Sequence, residues 1–136
     1  MQIKPTFAPM LIIPNGITDV SFYTQAFNAQ EVRRFTNDDG SIHVVELSIN
    51  GALFHLHEQW ETGAVSPQKA GVTTVSVGLF VDNVDEVVES AIAAGATLKS
   101  PAQDYDYGYR QANFIDPFGH LWEISAVITF RGAKLK

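Results

Sequence analysis

Residues 113–125 read NFIDPFGHLWEIS and place a tight turn between two apolar segments. Within it, DPFG (116–119) has proline at the second position, where its fixed φ suits a β-turn. Alternation along 120–127 predicts a strand in which Glu123 and Trp122 point to opposite faces of a sheet. The sequence leaves three roles open for Glu123: a metal ligand, a catalytic base, or a polar residue near a hairpin.

A similar stretch occurs earlier in the chain. NGALFHL (50–56) aligns with FGHLWEI (118–124) at an offset of 68 residues, and the alignment matches His55 with Glu123. Such duplication predicts two βαβββ modules within one domain. We expect module one at about residues 5–57, a linker at 58–71, module two at about 72–127 and a C-terminal tail at 128–136.

Hydrophobic periodicity predicts two helices and eight strands, which is an α+β fold. One helix is expected at 17–27, and the other starts near Val84 and ends at Gly95, a residue suited to a C-cap. Asn50-Gly51 is a strong two-residue hairpin signal, because both positions tolerate positive φ. The predicted strands are 7–13, 30–36, 42–49, 52–57, 72–81, 96–99, 109–115 and 120–127.

The composition excludes several classes of protein. The 136 residues contain no cysteine, which rules out a thiol nucleophile, a disulfide framework and a cysteine-ligated zinc site. Nine Lys and Arg residues against fifteen Asp and Glu residues give a net charge of -6, which disfavours nucleic acid as a partner. The sequence shows neither a signal-peptide core nor a membrane span, so we expect a cytoplasmic protein without a membrane partner.

The repeat and two longer segments resemble the glyoxalase / bleomycin-resistance / dioxygenase superfamily, also called vicinal oxygen chelate. These segments are VDNVDEVVESAIAAGAT (81–97) and GYRQANFIDPFGHLWEI (108–124). YGYR (107–110) and DPFGHLW (116–122) are most similar to PhnB-like and bleomycin-resistance-like members. The resemblance implies that each module curls a mixed four-stranded sheet and that the pair encloses a small-molecule cavity. We also expect a homodimer.

The resemblance further implies where a metal would bind. Metal-dependent members take one ligand from the first strand and one from the last strand of each module. The last strands offer His55 and Glu123, with His57 as a possible third ligand, whereas the first strands offer Ala8 and Ser76. Alanine cannot bind a metal and serine is a poor ligand.

Two functions follow as hypotheses. The first is a small-molecule-binding protein of the bleomycin-resistance or PhnB-like kind, without a full metal site and without another cofactor. The alternative is a metal-dependent lyase, isomerase or dioxygenase that holds a divalent metal on His55 and Glu123, which would also be its candidate catalytic residues. Whether the protein is an enzyme stays open at this stage.

The predicted ligand contacts come from three parts of the chain. Aromatic side chains next to a cavity suit flat or amphipathic ligands. We expect Glu123 to face the cavity with His55 as its polar partner, either within one chain or across a dimer, and His120 to be a hairpin or sheet-edge residue. Trp60 is expected to form a lid or a dimer contact. The candidate ligand-binding residues are His55, His57, Trp60, Ser76, Tyr105, Tyr107, Arg110 and Glu123.

Overall fold

The computed structural model describes residues 2–129, which form three helices and eight strands. Most of the predicted tail at 128–136 therefore lies outside the described residues. No helix within 2–129 is long and apolar enough to cross a bilayer. In chain order the elements are β1 (Met10–Ile13), α1 (Ser21–Phe27), β2 (Gln30–Thr36), β3 (Ile42–Ile49), β4 (Ala52–Glu58), α2 (Pro67–Ala70), β5 (Ser76–Phe80), α3 (Val84–Ala93), β6 (Thr97–Asp104), β7 (Tyr109–Ile115) and β8 (Leu121–Val127).

The strands form two four-stranded mixed sheets with the same topology, β1-β4-β3-β2 and β5-β8-β7-β6. The first strand of each module runs parallel to the last, and the other pairs are antiparallel hairpins. A parallel neighbour requires a crossover, and α1 and α3 lie within the two connections. The predicted α+β fold with duplicated βαβββ modules is confirmed, and the sheets are not closed.

The register of the two sheets repeats as closely as their topology. Met10 is the strand partner of His55, and Gly78 is the strand partner of Glu123. Both members of the second pair lie 68 residues after those of the first. At the predicted hairpin, Asn50 has φ 48° and the glycine that follows it has φ 94°, as a tight two-residue turn requires.

The largest differences between the predicted and observed strand boundaries arise because pairing sets where a strand begins and ends. β1 begins at Met10 rather than residue 7, because its pairing with β4 starts at the hydrogen bond from His55 N to Pro9 O. β5 begins at Ser76 rather than residue 72, opposite the start of β8. β6 continues past Pro101 to residue 104 through a register shift, which an edge strand tolerates.

The predicted linker contains a short helix, α2. Pro67 occupies its first turn, where a missing N–H costs nothing, and the Ser66 side chain accepts a hydrogen bond from Lys69 N at 3.3 Å. Gly71 ends the helix with a left-handed φ of 77°. The segment predicted as a linker is therefore partly helical.

One aromatic core joins the two modules. Phe54 of β4 lies 5.6 Å, ring centroid to centroid, from Trp122 of β8, and Phe27 of α1 lies 4.6 Å from the same indole. Tyr23 stacks on Phe118 at 6.3 Å. The surfaces of both sheets that carry the helices therefore face one another, and the opposite surface of each sheet faces outwards.

A buried carboxylate ties this core together. Tyr23 Oη donates to Asp116 Oδ2 at 2.6 Å, and Trp122 Nε1 donates to the same oxygen at 2.9 Å. Asp116 Oδ1 accepts from Phe118 N, His120 N and His120 Nδ1 at 2.9, 3.1 and 3.3 Å. Burial alone raises the pKa of Asp116, but the bonds from His120, Tyr23 and Trp122 outweigh it and hold that pKa below its ordinary value.

We expect Asp116→Asn to lower the free energy of unfolding by roughly 2 to 4 kcal/mol, because an amide cannot accept all of these bonds and leaves buried donors unpaired. Urea unfolding measures the loss. Asp38→Asn is the matched control, since Asp38 is an exposed turn residue and the same substitution there removes the same charge. Equal losses in the two variants would contradict a special role for the buried carboxylate.

Candidate ligand-binding faces

The open face of each sheet is the surface that points away from the helices. On β8, Trp122 and Ile124 point into the core, so Glu123 lies on the open face of module two. On β4, Phe54 and Leu56 point into the core, so His55 and His57 lie on the open face of module one. These two open faces carry most of the candidate residues.

Glu123 has a glycine beside it on one neighbouring strand and the amide of Asn113 on the other. Its strand partners are Gly78 on β5 and Asn113 on β7. A Cβ added at Gly78 would meet no atom of residues 2–129 within 4 Å beyond its own chain neighbours, so the position beside Glu123 on that strand is open among these residues. Ser76 lies two residues before Gly78 on the same open face. The open face therefore presents a carboxylate next to a strand position without a side chain.

A chain of hydrogen bonds crosses the same face. Tyr107 Oη donates to Gln111 Oε1, and Gln111 Nε2 donates to Ser125 Oγ at 3.0 Å. Ser125 is 3% exposed although it belongs to the open face, because neighbouring side chains cover it. These two hydrogen bonds fix the orientation of the Gln111 amide. The bond from Tyr107 Oη also holds the Tyr107 side chain against this face of the sheet.

Stacked aromatic rings border the carboxylate. Tyr105 and Tyr107 stack with ring centroids 5.3 Å apart and planes inclined by 12°. Tyr109 meets Tyr107 edge to face at 5.7 Å and Phe80 at 5.1 Å. The pKa of Tyr107 is raised, first by partial loss of solvent and then by its neighbours Tyr105 and Glu123. The Tyr107 phenol therefore stays neutral and can donate a hydrogen bond.

The open face of module one is more strongly charged. Arg33 pairs with Glu46 at 2.9 Å, and its guanidinium carbon lies 5.2 Å above the Phe35 ring centroid. Glu46 is the strand partner of His55. The pKa of Glu46 is lowered, chiefly by the hydrogen bond from Arg33 and further by the charge of Arg33 and the nearby His55. His55 thus has a carboxylate neighbour on its own sheet.

Trp60 lies at the end of this face, in the turn after β4. Its indole contacts His57 edge to face at 5.1 Å, and its backbone pairs with Ala64. The ring lies on Gly63, where an added Cβ would be 1.8 Å from Trp60 Nε1. Trp60 is 45% exposed, so the indole forms a wall beside His57 rather than part of the core.

Glu58 closes the edge of the sheet next to this indole. It accepts hydrogen bonds from His43 Nδ1 at 2.7 Å, Asn15 Nδ2 at 2.9 Å and Asn37 Nδ2 at 3.1 Å. These bonds, with His43 first, hold the pKa of Glu58 below its ordinary value. The carboxylate joins the turns that carry Asn15 and Asn37 to His43 of β3, which makes it a structural group.

The structure does not bring all of the predicted residues together. Phe54 and Trp122 face each other between the sheets, so the adjacent residues His55 and Glu123 point in opposite directions within one chain. Arg110 lies on the helix side of β7, where it bonds Asp85 of α3 and Asp104 at 2.9 to 3.0 Å. Within one chain His55 and Glu123 therefore lie on opposite outer surfaces, and their pairing across a dimer, the other expected arrangement, stays a prediction.

The donor chemistry also bears on the metal prediction. The parallel-strand neighbours of His55 and Glu123 are Met10 and Gly78, and the predicted first-strand positions Ala8 and Ser76 each lie two residues earlier in the chain. A thioether and a glycine add no oxygen or nitrogen side-chain ligand. Within residues 2–129, no three His, Asp or Glu side chains lie close enough to hold an ion. Residues 2–129 of one chain therefore do not supply the ligands of a metal centre.

Sequence reasoning missed the polar side chains of β7. Gln111 and Asn113 share the open face with Glu123, and alternation within 109–115 was the signal that could have identified them. It also missed Asp116, which had been interpreted only as part of a turn. A buried role for an aspartate in DPFG depends on the distant Tyr23, which local sequence does not reveal.

We expect Gly63→Ala to displace the Trp60 indole while the fold is retained, because the new methyl group would overlap Nε1 and an exposed indole can swing into solvent. The tryptophan fluorescence emission should shift to longer wavelength. Gly78→Ala is the matched control, since its Cβ meets open space. A shift that persists when Trp60 is also replaced by Phe would refute the assignment to this indole.

Comparison with known proteins places the chain in a family. The sequence profile of the Glyoxalase/Bleomycin resistance protein/Dioxygenase superfamily matches residues 18–124. An uncharacterized protein from Mycobacterium tuberculosis, Rv0887c, is 32% identical over 128 residues, which cover 91% of this chain and 75% of the relative. Mb0911c from Mycobacterium bovis has the same identity and coverage of this chain, with 84% of its own length matched.

Solved structures agree with this assignment. TioX from Micromonospora sp. ML1 is 27% identical with a TM-score of 0.66, and the match covers 93% of this chain and 99% of TioX. A mutant of the fosfomycin resistance protein FosX from Listeria monocytogenes, complexed with Mn(II) and 1S,2S-dihydroxypropylphosphonic acid, is 21% identical with a TM-score of 0.63 over 90% of each chain. That second similarity shows the fold alone. The chain belongs to the Glyoxalase/Bleomycin resistance protein/Dioxygenase superfamily.

Proposed function

We propose that this protein binds a small, flat organic molecule and that it is a bleomycin-resistance-like or PhnB-like member of its superfamily. The observation that carries the proposal is the open face of module two. There a carboxylate, a fixed amide and stacked tyrosines share a sheet surface that the other elements within residues 2–129 leave uncovered. Aromatic rings provide apolar contact area, and the few polar groups orient the ligand.

We further propose that a second copy of the chain completes the site. In one chain the two open faces point apart, so neither is covered by the other. Placing the open face of module one against that of module two from another copy would enclose a cavity and bring His55 towards Glu123. An isologous dimer would form two such cavities, and in each of them His57 and Trp60 would lie on the wall opposite Tyr107.

A metal-dependent lyase, isomerase or dioxygenase is the second candidate, favoured by the equivalent positions of His55 and Glu123 in the two modules. Across two chains these residues would supply one imidazole and one carboxylate, with His57 as a third donor. The neighbouring Met10 and Gly78 add no further ligand of the kind that divalent ions prefer. Binding without a metal therefore accounts better for the residues of both faces.

We expect a planar cationic compound to bind more tightly than its neutral isostere, because Glu123 is the carboxylate at the centre of the aromatic surface. Titration into the full-length protein, followed by intrinsic fluorescence, measures the two affinities. Glu123→Gln should weaken the cationic compound about tenfold and leave the neutral one nearly unchanged. Glu89→Gln on the exposed side of α3 is the charge-matched control. An equal effect of both variants would leave Glu123 without a role in binding.

Complementation between two variants tests whether a second copy of the chain completes the site. His55→Ala and Glu123→Gln each alter every site, but a mixed dimer of the two variants has one site with both changes and one site with neither. Random exchange should therefore restore about a quarter of the sites, since half of the dimers are mixed. The two variants are unfolded together, refolded and titrated with the compound identified above.

Variants refolded separately and then combined without exchange provide the control. If each site formed within a single chain, exchange would restore no binding, and the two-copy arrangement would be wrong. If neither variant weakens binding before exchange, the residues themselves are not part of the site.

A further inference from the structure

Two neighbouring rows of polar side chains cross the open face of module two. One row contains Gln111 and Ser125, which bond each other, and Tyr107 donates a further hydrogen bond to Gln111. The next row contains Asn113 and Glu123, which are direct strand partners and are both half-buried. Within the part of the chain that the structure describes, neither of these two side chains makes a hydrogen bond or an ion pair. The second row is therefore available to a ligand.

Apolar groups border this second row on both sides. Ile115 and Leu121 are strand partners one row further along the same face, and both are half-buried. On the other side Tyr107 lies close enough to Glu123 for the carboxylate to raise the pKa of the phenol, and its ring stacks on Tyr105. A flat ligand can thus contact apolar surface while its polar edge meets the row.

The two side chains restrict the chemistry of that polar edge. The ionised carboxylate of Glu123 can only accept hydrogen bonds, and the amide of Asn113 accepts at Oδ1. Directly opposite residues of an antiparallel pair have Cβ atoms about 4.5–5.5 Å apart, so one small group can reach both. An amidinium fits, because one planar cation carries N–H donors on two nitrogens and its charge strengthens the bond to a carboxylate.

We propose that the ligand of this face is a planar aromatic amidine, with one nitrogen donating to Glu123 and the other to Asn113 Oδ1. The inference rests on the function proposed for the open faces and specifies the polar edge of the ligand. Asn113 is then a specificity-determining residue. Glu123 selects positive charge, whereas Asn113 selects among cations the ones that carry a second N–H donor.

Benzamidine, benzamide and phenyltrimethylammonium separate charge from hydrogen bonding, because benzamide lacks the charge and phenyltrimethylammonium lacks the N–H donors. Calorimetric titration of the full-length protein should show benzamidine binding about tenfold more tightly than either of the others. Asn113→Leu should remove the advantage of benzamidine over phenyltrimethylammonium without weakening the latter, whereas Glu123→Gln should weaken both cations. Gln25→Met removes an exposed amide from α1 and is the control, which should change no affinity.

Side-chain amide ¹H–¹⁵N spectra of the wild-type protein provide a second measurement, which keeps the inference testable if Asn113→Leu does not fold. Benzamidine should shift the Asn113 side-chain resonance saturably. Equal affinities for the two cations, as expected if groups of a second copy already bond Asn113 and Glu123, would overturn the inference and leave the proposed function intact. Failure of all three probes to bind would overturn both.

Discussion

Asp116 is buried among aromatic side chains, and its carboxylate accepts hydrogen bonds from both halves of the chain. Tyr23 belongs to the helix of module one, whereas Trp122 and His120 belong to the last hairpin of module two. A buried ion is unfavourable unless its oxygens are well bonded, and here every donor must keep its place for that condition to hold. The mutual position of the two modules is therefore constrained by a polar interaction as well as by apolar packing.

This constraint decides which surfaces are left for ligands. Because the helix side of each sheet is used to form the common core, the other side of each sheet must face outwards. In an ordinary half-buried sheet that outer side carries solvated polar residues. Here the open face of module two also carries Phe80, which is 58% exposed and contacts Tyr109 beside the stacked tyrosines, and that of module one carries Leu53, which is 46% exposed. Exposed aromatic and aliphatic groups around a carboxylate are typical of an interaction surface.

Much of the fold was predictable from local pattern. The offset of 68 residues, the Asn50-Gly51 turn and the strict alternation of β4 and β8 are local signals, and the structure keeps all three. The direction in which the modules face each other was not predictable, because it depends on contacts between residues far apart, such as Tyr23 with Asp116. The side of the sheet that carries Glu123 followed from alternation, but its partner did not.

Arg110 shows the same limit on a smaller scale. Its place next to three tyrosines favoured a ligand contact, yet strand alternation turns it to the helix side, where two aspartates hold it. Asp85 lies 25 residues earlier in the chain, so only the packing of α3 on the sheet makes that pairing possible. Residues that are adjacent in a strand point to opposite faces of the sheet. In a site built on sheets, the face to which a side chain points therefore determines whether it can contact the ligand.

The duplicated modules have come to differ at the positions where they are equivalent. His55 corresponds to Glu123, and Met10 corresponds to Gly78, so one half presents an imidazole beside a bulky side chain and the other a carboxylate beside open space. Two identical halves would place like groups opposite each other, and two facing carboxylates repel each other. Such a site would also present the same groups to both ends of a ligand. Unlike halves can bind the two ends of an asymmetric ligand with different groups. A cavity formed from one half of each of two copies keeps that asymmetry within every site, although the dimer as a whole is symmetric.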